Sequence, residues 1–269
     1  MEVNYKVLTY KFGDTFTLKP LFDIHLGNKA CDERAFKQYL AESDESTYFI
    51  GGGDLMDAVI VSDAKRYRKG IDASPTDDII DYQVDRTAAM LYPYRERILG
   101  LGSGNHEDNL VTRCSVDMTR RLCRLLDVPY IGYSGLYRLR FREPTTNGDN
   151  GRVRTIDIRY HHGWAAGRTP GGQLTSNTKD VMHWDADIFL YGHGHKLLTD
   201  TVSRLSVVGE CKLTSKDLVI CLCGTFLKTY ILGETTYSEK KGYSPIRIGS
   251  PYITIRPTRE GVQLKAHTN

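Results

Sequence analysis

Five short clusters of Asp, His, Asn and Glu, each set just behind an apolar run, constrain this chain more than any other feature. They are Asp23-Ile24-His25, Gly53-Asp54-Leu55-Met56-Asp57, Gly104-Asn105-His106-Glu107, His161-His162 and Gly192-His193-Gly194-His195. Six of the eight histidines fall inside them, and His183 and His267 lie outside. In D-x-H and H-x-H the two side chains are two residues apart, so an extended segment turns both to one face. Strand ends on one edge of an α/β sheet converge on one crevice, where ligands bind. Carboxylates, an amide and several imidazoles gathered there would stay repelled or unsatisfied unless cations bound them. Glycines 53, 104, 192 and 194 permit the sharp turns this needs.

The stretches between the clusters supply the elements. TLKPLFDIHLG reads as a strand entering a loop, and DERAFKQYLAE as a helix with Phe36, Tyr39 and Leu40 at helical spacing and Asp32 as its N-cap. TYFIGGGD and RILGLGSGNHE are two further strand-to-loop units, and DDIIDYQVDRTAAMLYPY is a second helix. NLVTRCSVDMTRRLCRLLD reads as a third, single helix. Past Tyr130, LYRLRF and VRTIDIRY alternate polar and apolar residues around EPTTNGDNG, a hairpin pattern. A glycine-rich loop, HHGWAAGRTPGGQ, leads to a short helix and then DIFLYGHGH, and the tail holds β-like runs such as LVICLCGTFL and PYITIRP. Alternating β and α feeding a second group of strands implies an α/β fold with helices outside the sheets. No linker-like boundary breaks the chain, so residues 1–269 are expected to form one domain with a β-rich part from about residue 196.

Composition removes other classes. The 269 residues are 40% hydrophobic and 26% charged, ordinary for a globular protein and unlike disorder or a fibre. A formal charge of +3 excludes a polybasic tail protein but leaves a local nucleic-acid patch open. No secretory pattern opens the chain and no apolar run approaches ~18 residues, so a cytoplasmic protein without a membrane partner is expected. The six cysteines are scattered and read as inert thiols of a reducing compartment rather than a disulfide framework or zinc site.

With all five blocks present in order from Asp23 to His195, the chain resembles the calcineurin-like metallophosphoesterase superfamily. Its pattern is D-x-H, G-D-x-x-D, G-N-H-[D/E], a later His after a strand, and G-H-x-H. The small stand-alone phage and bacterial members, distantly similar to SbcD-type exonucleases, are nearest in length and block arrangement. Each motif alone is weak; five in order are specific. The resemblance implies a four-layer α/β/β/α sandwich and a phosphoric ester hydrolase with two divalent metals. It places Asp23, His25 and His195 on the first metal, Asn105, His193 and one of His161 or His162 on the second, and Asp54 between them. His161 is preferred as the ligand, directly off the strand end, with His162 facing substrate. His106 is expected to protonate the leaving group or stabilise its charge, and Asp57 and Glu107 to orient their neighbours. Carboxylate, amide and imidazole donors without thiolate suit manganese first, with iron or zinc as alternatives.

The substrate is less sharply written. Arg168, in the glycine-rich loop, matches phosphate geometry. Lys65–Lys69 (KRYRK) follows the G-D-x-x-D turn, and from Arg113 to Arg168 there are 11 Arg and no Lys against 5 acids. Basic residues interleaved with tyrosine can track a nucleic-acid backbone. The expectation is a nuclease-like phosphodiesterase acting on DNA or RNA. The alternative is a phosphatase or phosphodiesterase for small nucleotides or phosphoproteins. A non-catalytic binding module ranks last, because no expected ligand is missing.

Overall fold

A computed structural model describes residues 1–63, 67, 78–144, 151–164 and 167–268. In chain order the first half runs β1 (Glu2–Thr9), β2 (Phe16–Leu21), α1 (Glu33–Ala41), β3 (Thr47–Gly52), α2 (Ile79–Leu91), a 3-10 turn (Tyr92–Arg97), β4 (Ile98–Gly102), α3 (Asn105–Cys114), α4 (Met118–Leu126) and β5 (Tyr130–Gly132). The second half runs β6 (Ser134–Arg142), β7 (Val153–His161), α5 (Pro170–Val181), β8 (Ile188–Tyr191), β9 (Leu197–Val208), β10 (Lys212–Cys223), α6 (Tyr237–Lys240), β11 (Tyr252–Pro257) and β12 (Val262–His267).

The strands form two six-stranded sheets, ordered β1-β6-β7-β8-β10-β9 and β12-β11-β2-β3-β4-β5. Strands β2, β3, β4 and β5 are parallel, as are β7, β8 and β10. Strand β4, ILGLG, is buried along its whole length, as expected of a parallel strand covered on both faces. The two sheets face each other through a core that includes Phe16, Leu18, Ile50, Phe141, Ile158, Leu190, Val219 and Ile253. A second core, including Phe36, Leu40, Val84, Leu110 and Leu122, seals α1 to α4 against the β2–β3–β4 sheet. A third, including Val181, Phe189 and Tyr191, lies on the outer face of the other sheet, where α5 packs. The layering is therefore α/β/β/α.

Local chemistry sets the boundaries. Asp32 caps α1 by accepting from Ala35 N at 3.1 Å, and Thr169 caps α5, where Pro170 opens the first turn. The stretch read as one long third helix is two. Ser115, left-handed at φ 56°, ends α3, and Asp117 accepts from Arg120 N at 2.8 Å to start α4. No strand was expected at the N-terminus, where β1 pairs in parallel with β6. All six cysteines are free thiols. Among the described residues no helix is long and apolar enough to cross a membrane.

Candidate metal centre

The five clusters follow the carboxyl ends of β2, β3, β4, β7 and β8, three from one sheet and two from the other. Backbone bonds lace the loops together: Asp23 N donates to Gly53 O at 3.1 Å, and His25 N to Asp54 O at 3.0 Å. Other bonds cross between the sheets. His193 N donates to Asp23 Oδ2 at 2.8 Å, and His162 Nδ1 donates to Gly52 O at 3.0 Å. Asp23, His25, Asp54, His193 and His195 all have left-handed backbones, with φ between 49° and 64°. That conformation turns each side chain inward but is uncommon away from glycine, Asp, Asn and His.

Two groups of donor atoms result. In the first, His195 Nε2 lies 3.3 Å from Asp23 Oδ1 and 3.2 Å from His25 Nε2. In the second, Asn105 Oδ1 lies 2.9 Å from His162 Nε2 and 2.6 Å from His193 Nδ1. Asp54 Oδ2 stands between them, 3.4 Å from His162 Nε2 and 3.9 Å from both His25 Nε2 and His106 Nε2. Asp23, His25, Asp54 and His162 are essentially inaccessible, whereas His193 and His195 are partly exposed.

The preference for His161 does not fit this geometry. His161 is the last residue of β7, and its side chain turns away from the donor groups. Its Nδ1 accepts from Gly163 N at 2.8 Å, and its ring packs edge-on to Tyr133 and Trp164. The following residue, His162, takes the inward position beside Asn105 and Asp54. Arg168 lies exposed on the approach to α5. Of the KRYRK segment, Lys65, Arg66, Arg68 and Lys69 lie outside the described residues.

His106 and Asp57 form an adjoining layer. His106 Nδ1 donates to the Asp57 carbonyl at 2.5 Å, and Asp57 Oδ1 lies 3.5 Å from His25 Nδ1. Asn28, which sequence reasoning did not single out, donates to the same Asp57 oxygen at 3.0 Å. Tyr133 was also missed, although its ring meets His162 edge-on at 5.3 Å. Asn28 lies close to the first cluster in the sequence, whereas Tyr133 lies near none of them.

The charges interlock. Burial alone would raise the Asp54 pKa, but His162, His106 and His25 hold its carboxyl well below the usual range. Burial would likewise lower His162, yet Asp54, with Asp23 and Glu107, pushes it up to about 10. His25 is lowered, chiefly by burial, and so is His193, by burial and by His162. His161, away from these carboxylates, falls to about 4 through burial and Arg159.

The residues fit divalent cations on two observations. Asp23 Oδ1, in the first donor group, is buried without a hydrogen-bond partner, which costs free energy unless a cation takes its lone pairs. The glycines also leave the donors room, since a Cβ on Gly104 would stand 2.2 Å from Asp54 Oδ1, and one on Gly192 would stand 2.6 Å from Asp23 Oδ2.

No protein-family model matches the chain, and no curated protein matches it. Among solved structures it is similar to a metallophosphoesterase from Sphaerobacter thermophilus, at 12% identity over 94% of this chain and 89% of that one, TM-score 0.41. It is similar to the NAD nucleotidase of Haemophilus influenzae at 9% identity, 95% and 49% coverage and TM-score 0.42. A 5′-nucleotidase precursor from Thermus thermophilus is similar at 10% identity, 94% and 54% coverage and TM-score 0.40. The chain spans about half the length of these two nucleotidases. In layering and in the order of its motif blocks the chain resembles the calcineurin-like metallophosphoesterases.

Proposed function

We propose that this chain is a dinuclear-metal-dependent phosphoesterase of the calcineurin-like kind, with phosphodiesters of nucleic acid as its substrates. One observation carries the reading: a buried carboxylate, Asp54, stands between two donor groups, each assembled from both sheets. Asp23, His25 and His195 would hold one cation, Asn105, His162 and His193 the other, and Asp54 would serve both. When bound, such a pair neutralises phosphate charge and acidifies water near neutral pH. Manganese remains the first choice for both positions.

The chain's own groups do the rest. Asp57 Oδ1 faces His25 Nδ1 at 3.5 Å and so favours the ring orientation in which His25 Nε2 points at Asp54 and His195. His106 commits its Nδ1–H to the Asp57 carbonyl, so Nε2 is the atom that would deliver a proton to the leaving oxygen, from the imidazolium form of the ring. At 15% exposure its side chain can meet a substrate that the deeper residues cannot. The basic composition between Arg113 and Arg168 supports a polyanionic substrate over a small one.

The deciding experiment strips the protein with chelator, restores Mn²⁺ and offers bis-nitrophenyl phosphate, single- and double-stranded DNA, cyclic nucleotides and phosphopeptides. Mn²⁺-dependent cleavage of the aryl diester and of DNA is expected. Turnover confined to phosphopeptides or mononucleotides would remove nucleic acid, and no turnover with Mn²⁺, Fe²⁺ or Zn²⁺ would remove the enzyme.

A further inference from the structure

We propose that Glu107 is a positioning residue that presets the two metal-holding loops, an inference resting on the dinuclear reading above. Its side chain is 1% exposed, and its carboxylate accepts four backbone N–H groups. Oε1 takes Leu55 N at 2.8 Å and Met56 N at 3.2 Å, and Oε2 takes Asp54 N at 3.0 Å and Gly104 N at 2.9 Å.

Three consecutive amides point at one carboxylate because the chain before them is left-handed twice, at Gly53 (φ 102°) and Asp54 (φ 50°). Successive N–H groups in such a turn form a concavity that binds an anion. Here the anion is supplied by α3, the helix that also carries Asn105 and His106. A return bond closes the clasp, since His106 N donates to Asp54 Oδ1 at 2.9 Å. One oxygen of Asp54 is thereby tied to α3, while the other faces His25, His106 and His162. Glu107 belongs to none of the donor groups found among the described residues. Its action is to fix the loop after β3 against the loop after β4, so that Asp54 and Asn105 keep their separation before any cation arrives.

The test is Glu107→Gln, whose amide nitrogen would face two N–H donors. Two readouts apply to the chelator-stripped protein: Mn²⁺ affinity by calorimetry, and amide exchange over residues 53–57. Orienting partners of this kind are worth about 10–100-fold in metal affinity. Weakening of that size at both sites, with faster exchange at Asp54 to Met56, is expected. Leu110→Ala, in the core beneath α3 and in none of the donor groups, is the control for general loosening. It should lower Tm and leave Mn²⁺ affinity alone. Where the Gln variant does not fold, Glu107→Asp keeps the charge but withdraws it by one methylene, and the same losses are expected. Wild-type affinity in a folded Gln or Asp variant overturns the proposal, as does an equal loss of affinity in Leu110→Ala. Wild-type protein that binds no Mn²⁺ overturns the dinuclear reading instead, and unchanged exchange at residues 54–56 in the Gln variant would then overturn the clasp by itself.

Discussion

His161 and His162 are adjacent, chemically identical, and set apart only by which way each ring faces. Replacing each with alanine therefore separates a metal-holding role from a structural one. His162→Ala bares the Gly52 carbonyl, which the ring now meets at 3.0 Å. Asn105 Oδ1 keeps His193 at 2.6 Å, and Asp54 keeps the His106 amide at 2.9 Å, so neither is left alone. One bared buried polar group costs about 1–3 kcal/mol. His161→Ala bares the buried Gly163 N–H at the same cost, about 1–3 kcal/mol. It also loses ring contacts to Tyr133 and Trp164, worth about 0.5–1.5 kcal/mol each. At about 2–4 °C per kcal/mol for a chain of this size, both variants should melt several degrees early. Stability will not tell them apart, but metal will. Calorimetric titration of chelated protein with Mn²⁺ should show one of two sites weakened in His162→Ala by more than the about 100-fold that losing an orienting partner costs. His161→Ala should bind as wild type does. Equal weakening in both, or weakening in His161→Ala alone, would refute the assignment.

Other expectations use different assays. His106→Ala should keep both cations and still cleave a nitrophenyl diester, while losing about 10²–10⁴-fold on a nucleotide diester whose leaving oxygen needs a proton; equal losses on the two substrates would count against the acid role. In metal-stripped protein, His162 is raised from 6.5 to about 10, since Asp54 outweighs the opposing effect of burial. A raised histidine stabilises the fold fully below its unfolded pKa and loses that contribution as pH climbs through the folded one. The Tm of stripped protein should therefore fall between about pH 7 and 10, and His162→Ala should lack that part of the slope. Finally, a thiol reagent should find only Cys114 and Cys211 promptly in native protein, since both are exposed. Burial pushes Cys123 up to about 12 and raises Cys31, Cys221 and Cys223 as well, so these should react only after unfolding.

The clusters were legible because each follows an apolar run that can only be a buried strand, and parallel strands deliver their ends to one edge. Which of His161 and His162 faces the donor groups was not legible. Which of two neighbours faces inward depends on where β7 stops, and that is fixed by its pairing with β6 and β8: His161 lies opposite both Ser134 and Tyr191. No local pattern encodes that pairing. The break between α3 and α4 was written in Ser115 and Asp117, but a continuous apolar periodicity outweighed one capping signal. The pairing of β11 with β2 joins residues more than two hundred positions apart, and nothing within either strand announces its partner.

Among the described residues, eight non-glycine positions are left-handed, and Asp23, His25, Asp54, His193 and His195 are five of them. Residues held in that region can cost of order 1 kcal/mol or more each. Five together are a sizeable fraction of the about 5–15 kcal/mol that separates a folded domain from its unfolded chain. Glycine would relieve the strain at every one of these positions, and would delete a donor each time. Evolution for heat resistance alone, with no demand for turnover, should therefore erode this edge of the sheets before any other part of the protein. Variants recovered that way should melt later and bind less metal, so that thermal tolerance and chemistry trade against one another residue by residue.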